Sequence, residues 1–205
     1  AEYACIRSTR KKNKLQTDID ICHKTNGEHR LNRRYFFDAD GVLFQYERDA
    51  YTGENPRWLK KNGHYFRNLA PDVKMLECMD ILHNKVRYTG DEIFILTSLR
   101  SDGLIFNEHL HDKIVSFQKW YPYVDIDHIL IATSPKRDTV EYITNNEITK
   151  RDILIDDFNK NLHEWQQAGG IAIKYCNGIN TPASWSGGKF INETPSTMVE
   201  QLLSL

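Results

Sequence analysis

Tyr35-Phe36-Phe37-Asp38-Ala39-Asp40-Gly41-Val42-Leu43 is an apolar run that stops at two carboxylates one residue apart, followed by a glycine. Such a run reads as a buried strand that delivers its last residues to the carboxyl edge of a sheet. Alternate residues of a strand point to one face, so Asp38 and Asp40 aim at one place, about 6–7 Å apart along the chain. Gly41 frees the backbone to turn sharply there. Two ionised carboxylates in that position repel unless a cation lies between them. For this stretch alone a plainer reading stands beside the functional one: a strand followed by an Asp-Gly turn. The rest of the chain decides between them.

Downstream, the pattern recurs. Glu92-Ile93-Phe94-Ile95-Leu96-Thr97 is a second buried strand that breaks at Thr97-Ser98. His128-Ile129-Leu130-Ile131-Ala132-Thr133 is a third, followed by Lys136. Ile153-Leu154-Ile155 is a fourth, ending in Asp156-Asp157, and Ile171-Ala172-Ile173-Lys174-Tyr175 is a fifth. Helices are expected between them. Pro71 opens one whose buried stripe is Met75, Leu76, Met79, Leu82 and Val86. A loop carrying Arg100, Asp102 and Gly103 leads to a helix around 109–121, with Leu110, Ile114, Phe117 and Trp120 facing inward. A short helix fits 137–144. Asn159 is expected to cap a helix through Gln167 that Gly169-Gly170 stops. After a Gly/Asn/Ser-rich loop, Thr194-Pro195 opens a last helix with Met198, Leu202 and Leu203 inward. Strands alternating with helices mean an α/β fold with a parallel sheet covered on both faces. Ligands bind beyond the carboxyl ends of such strands.

Two segments fall outside this alternation. Residues 44–70 hold Phe44, Tyr46, Tyr51, Trp58, Tyr65 and Phe66, with Gly53, Pro56 and Gly63 between them. They are expected to form a small cap over the mouth of the sheet. Most of those aromatics would pack the cap's own core, and one or two facing the mouth could stack on a flat ligand such as a nucleobase. Residues 1–33 show no clear period beyond a short strand signal at Ile19-Asp20-Ile21. This segment has no assigned task. Residues 1–34 carry nine Lys/Arg against four Asp/Glu, in a chain whose net charge is −1. A solvated basic extension is the expectation, and a nucleic-acid partner is the lesser alternative.

At 205 residues the chain holds one good-sized domain with room for an insert. No apolar run approaches the ~20 residues of a membrane span, and no signal-peptide pattern opens the sequence, so a cytoplasmic protein is expected. Cys5, Cys22, Cys78 and Cys176 are scattered without a Cys-x-x-Cys, which suggests free thiols in a reducing compartment. His109 and His111 read as surface residues.

The polar residues that end the apolar runs make a chemical set. Carboxylates at Asp38, Asp40, Asp156 and Asp157 suit an oxygen-loving dication such as Mg²⁺. Hydroxyls at Thr97 and Ser98 and the ammonium of Lys136 suit the oxygens of a phosphate. With cations present, a carboxylate can attack phosphorus and form an aspartyl-phosphate. A second carboxyl two residues on can protonate the leaving oxygen and then activate water. Each residue alone has a bland reading: a strand-end hydroxyl, a solvated lysine, a helix-capping acid pair. The functional reading rests on their joint placement.

In this order the motifs resemble the haloacid dehalogenase (HAD) superfamily of phosphohydrolases. Asp38-Ala39-Asp40-Gly41 is similar to its first motif, Thr97 to its second, Lys136 to its third and Asp156-Asp157 to its fourth. The match spans residues 35–175. A closer resemblance is to the 5'(3')-deoxyribonucleotidases, in their bacterial and phage branch. Its carriers are Asp40-Gly41-Val42-Leu43, Leu96-Thr97-Ser98, Thr133 to Lys136, Leu154-Ile155-Asp156-Asp157, Asn161-Leu162-His163-Glu164-Trp165, Ala168-Gly169-Gly170 and Asn177-Gly178-Ile179-Asn180.

The resemblance implies a three-layer Rossmann-like core over residues 34–205 with residues 46–70 as a cap. It implies Asp38 as nucleophile, Asp40 as acid/base, and Thr97, Ser98 and Lys136 as phosphate ligands. Mg²⁺ would be held by the Asp38 carboxylate, the Asp40 carbonyl and Asp157, with Asp156 in support. Tyr46 and Phe66 fall where the family places base-stacking aromatics. Relatives are often dimers. Gln45 stands where the family often has an acid, and Ser134-Pro135-Lys136 replaces the Arg-Asp-Lys of the animal enzymes, so base and sugar preference stay open. The expected activity is Mg²⁺-dependent hydrolysis of (deoxy)nucleoside monophosphates. The alternatives are another substrate of the same chemistry (a sugar phosphate or a phosphorylated nucleic-acid end) and a non-catalytic nucleotide-binding module.

Overall fold

The apolar run becomes β1 (Arg34–Phe37), and the sheet is built outward from it. The computed structural model describes residues 32–45, 64–99, 106–178 and 184–205. Around β1 stand β2 (Glu92–Ser98), β3 (Ile129–Ala132), β4 (Asp152–Asp156), β5 (Ile171–Tyr175) and β6 (Gly188–Phe190). The order is β3-β2-β1-β4-β5-β6, and every pairing is parallel. Phe37 pairs with Ile95 on one side and Ile155 on the other. The chain steps from β1 to β2 to β3 in one direction, then crosses to β4 on the far side of β1. That reversal opens a crevice at the carboxyl ends of β1 and β4.

The helices are α1 (Tyr65–Asn68), α2 (Val73–Val86), α3 (Phe106–Trp120), α4 (Lys136–Thr144), α5 (Asn159–Gln167) and α6 (Pro195–Ser204). Strands buried on both faces produce two apolar clusters. Met75, Met79 and Leu82 of α2, Phe117 of α3, and Met198 and Leu202 of α6 pack on Tyr35, Phe37, Ile95 and Ile155. On the opposite face Val140 of α4, with Leu162 and Trp165 of α5, packs on Phe36, Phe94, Leu96 and Leu154. The result is a three-layer, Rossmann-like α/β fold, as the sequence leads one to expect.

Several local expectations are corrected. Pro71 does not open α2: it pairs as an isolated bridge with Phe44, and Asp72 caps the helix, its side chain accepting from the Met75 N–H at 3.0 Å. Asn159 is not a cap either. It is the first residue of α5, its Oδ1 accepts from Lys174 Nζ at 2.7 Å, and its Nδ2 donates to Ser184 Oγ at 2.5 Å. The sixth strand falls in what reads as a loop. At α6 the expectation holds: Thr194 accepts from the Thr197 N–H and Pro195 is the first helical residue.

The largest difference is α3. Its buried stripe is His109, Asp112, Lys113, Ser116 and Phe117, while Leu110, Ile114 and Trp120 are only half-buried. His109 is therefore not a surface residue, and burial lowers the pKa of its imidazole. Ser116, Asp112 and Lys113 of this stripe each find a polar partner. Ser116 Oγ donates to the Phe66 carbonyl at 2.9 Å, the Asp112 carboxylate lies 3.1 Å from His64 Nδ1, and Lys113 pairs with Asp40.

The base of the 46–70 excursion is closed by Gln45 N–H donating to the Ala70 carbonyl at 3.0 Å and Asp72 N–H to that of Leu43 at 2.9 Å. Residues 1–31 and 46–63, with the 19–21 strand, most of the expected cap, Tyr46, Cys5 and Cys22, lie outside the described residues. Cys78 and Cys176 are free thiols. Among the described residues no helix is long and apolar enough to cross a membrane.

Candidate functional site

Asp38 follows the last residue of β1, where the strand ladder ends with its N–H donating to the Ile155 carbonyl at 2.9 Å. Its Oδ1 accepts from the Ala39 N–H at 2.7 Å and lies 2.6 Å from Lys136 Nζ. Two contacts on one oxygen fix the rotation of the carboxyl group. Lys136 starts α4 and is 2% exposed. Its ammonium also donates to Asp156 Oδ2 at 2.6 Å, so one cation bridges the ends of β1 and β4. Asp156 is held in turn by the Phe158 N–H on Oδ1 at 2.8 Å and by Asn161 Nδ2 on Oδ2 at 2.9 Å.

Asp157 is oriented differently. Asn177 Nδ2, on the segment after β5, donates to Asp157 Oδ2 at 2.7 Å and to the Gly41 carbonyl at 2.8 Å. From behind, the fully buried Lys174 donates to the Asp157 carbonyl at 2.6 Å. Gly41 has φ +84°, and a Cβ there would collide with the Asp157 carboxylate and the Asn177 amide. Gly178 has φ +79° but open space where its Cβ would go. Gly178→Ala should therefore cost only left-handed strain, about 1–2 kcal/mol. Gly41→Ala should cost that strain and also displace Asp157, so its melting temperature falls further and any metal-dependent activity drops with it. Thermal melts of the two variants check this, and equal shifts would contradict it.

Asp40 is held from α3. Its carboxylate forms an ion pair with Lys113, whose Nζ also donates to Thr97 Oγ1 at 2.9 Å and sits 4.3 Å from the centre of the Phe66 ring. Thr97 is fully buried near the end of β2, and Ser98 next to it is exposed. Phe66 is buried, with His109 edge-on at 5.0 Å.

Thus Asp38, Lys136, Asp156 and Asp157 converge, and Asp40 and Thr97 converge on Lys113. The sequence reading missed Lys113, Asn177, Asn161 and Lys174. Lys113 shares the helical stripe of Phe117, four residues on, and that spacing is the one signal that could have marked it.

Among the described residues, Lys113 pairs with Asp40 and Lys136 with Asp38 and Asp156, while Lys174 donates to the Asp157 carbonyl and to Asn159 Oδ1. Burial raises the Asp38 pKa well above its ordinary value. The Lys136 charge opposes that rise, and Asp156, Asp157 and Asp40 add to it. Burial works against the Lys136 charge too, but Asp156 and Asp38 outweigh it and leave its pKa raised. Asp38, Asp156 and Asp157 each offer an oxygen, all within 4.8 Å of one another. An all-oxygen, anionic donor set of this kind fits a hard dication such as Mg²⁺. A second group, His64, Glu108 and Asp112, is equally compact, but Arg67 Nε already lies 3.2 Å from the Asp112 carboxylate.

No protein-family profile matches the chain, and no curated protein does. Solved structures do. A HAD family hydrolase from Deinococcus radiodurans R1 with bound phosphate and sodium superposes with TM-score 0.58 at 13% identity, covering 84% of this chain and 96% of that one. A D,D-heptose 1.7-bisphosphate phosphatase from B. bronchiseptica, complexed with magnesium and phosphate, gives 0.56 at 16% identity, covering 84% and 98%. A predicted phosphatase from Clostridium acetobutylicum gives 0.56 at 15% identity, covering 85% and 100%. This chain has the fold of the HAD-superfamily hydrolases.

Proposed function

We propose that this chain is a dication-dependent phosphomonoesterase that works through an aspartyl-phosphate on Asp38. The observation that carries the reading is the Lys136 ammonium, 2.6 Å from both Asp38 and Asp156, beside the three-carboxylate group that adds Asp157. A buried nucleophile-type carboxylate, a buried cation and a dication-type donor set at the crevice of an α/β sheet suit attack on a phosphate and little else.

In this reading Asp38 forms a bond to phosphorus as the ester P–O bond breaks, and Asp40 gives its proton to the departing oxygen. Water then attacks phosphorus, Asp40 takes its proton, and the Asp38 carboxylate is regenerated with release of phosphate. Lys136, Thr97 and Ser98 supply positive charge and donors for the phosphate oxygens. Mg²⁺, held by the Asp38 and Asp157 carboxylates and the Asp40 carbonyl with Asp156 in support, would offset the anionic charge that otherwise repels a phosphate. The chain's own residues set the geometry: Ala39 N–H and Lys136 lock the Asp38 carboxyl, and Asn177 locks that of Asp157.

For the substrate we propose a nucleoside monophosphate, deoxyribonucleotides included. The sequence stretches shared with the deoxyribonucleotidases support this, and Tyr46 is the proposed base-stacking residue. A sugar phosphate is the second reading, favoured by the heptose bisphosphate phosphatase among the structural neighbours. A phosphate-release panel in Mg²⁺ separates them, using deoxy- and ribonucleoside 5'- and 3'-monophosphates, sugar phosphates and a 3'-phosphorylated oligonucleotide. Highest kcat/KM on a nucleoside monophosphate is expected. Preference for a sugar phosphate would overturn the substrate assignment while keeping the chemistry.

A further inference from the structure

The fold buries a lysine that the chemistry above does not use. Lys113 lies mid-way along α3 and is only 2% exposed. A charge there is tolerated only if its donors are satisfied. Its contacts lie on Asp40, on Thr97 Oγ1 and over the Phe66 ring, and each of the first two has a consequence.

An ammonium can only donate, so in its contact with Lys113 the Thr97 hydroxyl must be the acceptor. The hydroxyl's own hydrogen then points away from Lys113. A phosphate dianion has only acceptors to offer, so a hydroxyl fixed in this sense is ready to meet it. The ion pair meanwhile ties the Asp40 carboxylate to α3, while Asp38 is paired with Lys136. An acid/base residue that drifted into the Asp38, Asp156 and Asp157 group would be lost to the leaving oxygen. The sheet edge thus uses one buried lysine for each carboxylate of the first motif: Lys136 for Asp38 and Lys113 for Asp40.

We propose that Lys113 is a positioning residue of the active site, which holds Asp40 where it can exchange a proton with the leaving oxygen and presets the Thr97 hydroxyl as a donor to the phosphate. This role rests on the phosphomonoesterase reading.

The test compares two esters. A deoxynucleoside monophosphate leaves as an alkoxide and needs a proton. 2,4-Dinitrophenyl phosphate leaves as a stable phenolate and does not. kcat/KM is measured for the intact protein, Lys113→Met, Lys113→Arg, Asp40→Asn and the Lys113→Met/Asp40→Asn double variant. Lys113→Met should lose about 10²-fold or more on the nucleotide, the range of general-acid catalysis. It should lose under about 10-fold on the dinitrophenyl ester, that smaller shared loss being the Thr97 contribution.

Adding Lys113→Met to Asp40→Asn should cost the nucleotide reaction no more than about 10-fold further, because the two residues act as a unit. Lys113→Arg, which keeps charge and donors, should recover part of the loss. If Lys113→Met does not fold, Lys113→Gln is read in the same ratio. Equal losses on the two esters, or the full loss repeated in the Asp40→Asn background, would overturn the role. An intact protein inactive on both esters would instead overturn the phosphomonoesterase reading, and this role with it.

Discussion

Asp38→Asn should abolish phosphate release, by about 10⁴-fold or more, without lowering the melting temperature. Loss of a nucleophile on this scale is the general experience for covalent catalysis, where what remains comes from binding and electrostatics. The stability half of the expectation comes from crowding. Asp38 shares its pocket with Asp156 and Asp157, their oxygens within 4.8 Å, and among the described residues the Lys136 ammonium is the cation paired with it. An amide at position 38 cannot carry a charge beside Asp156 and Asp157, and its oxygen can still accept from the Ala39 N–H and from Lys136. Function and stability pull in opposite directions here, as they do wherever a site is charged for its chemistry. Malachite-green phosphate assays and thermal melts read the two halves separately. A variant that keeps its activity would remove Asp38 from the mechanism.

Lys136→Met should differ from Asp38→Asn on stability and lose less of the activity. The methionine fills the space but leaves Asp38 and Asp156 as neighbouring buried carboxylates with no cation between them. Breaking a buried ion pair from one side costs about 3–5 kcal/mol. For a chain of this size that corresponds to a melting temperature lower by on the order of 10 °C. Phosphate handling should fall by about 10²–10³-fold, the usual effect of deleting one preorganised donor from a transition-state site. Added Mg²⁺ should recover part of the lost stability, since a dication among the same carboxylates replaces some of the missing charge. An unchanged melting temperature would mean that Lys136 is not the bridge between β1 and β4.

The framework was legible in the sequence because parallel strands buried on both faces read as unbroken apolar runs. Tyr35–Phe37, Ile93–Leu96 and Ile153–Ile155 announce themselves in this way. The polar residues that interrupt them mark the carboxyl edge, and the structure places Asp38, Lys136, Asp156 and Asp157 together there. β6 escaped because Gly188-Lys189-Phe190 is too short to show a period. α3 misled for a different reason. Its buried face is polar, so the apolar periodicity selected the half-buried Leu110, Ile114 and Trp120 instead. Lys113 and Asn177 were not legible as site residues because their partners, Asp40 and Asp157, are distant in sequence: the spacing to Phe117 can put Lys113 on the buried face, and a family-like stretch includes Asn177, but neither names the partner. The substrate end is the least legible part. Tyr46 and most of the cap lie outside the described residues, and Phe66 is buried against Lys113 and His109.

The proposed mechanism centres on a pocket that gathers Asp38, Lys136, Asp156 and Asp157, where a dication would offset carboxylate charge facing a phosphate. The most direct measurement is phosphate release by the intact protein in Mg²⁺, after chelation, and after Mg²⁺ is restored. The expected result is turnover with the metal, none above background without it, and recovery on its return. Undiminished release in chelator would contradict the account.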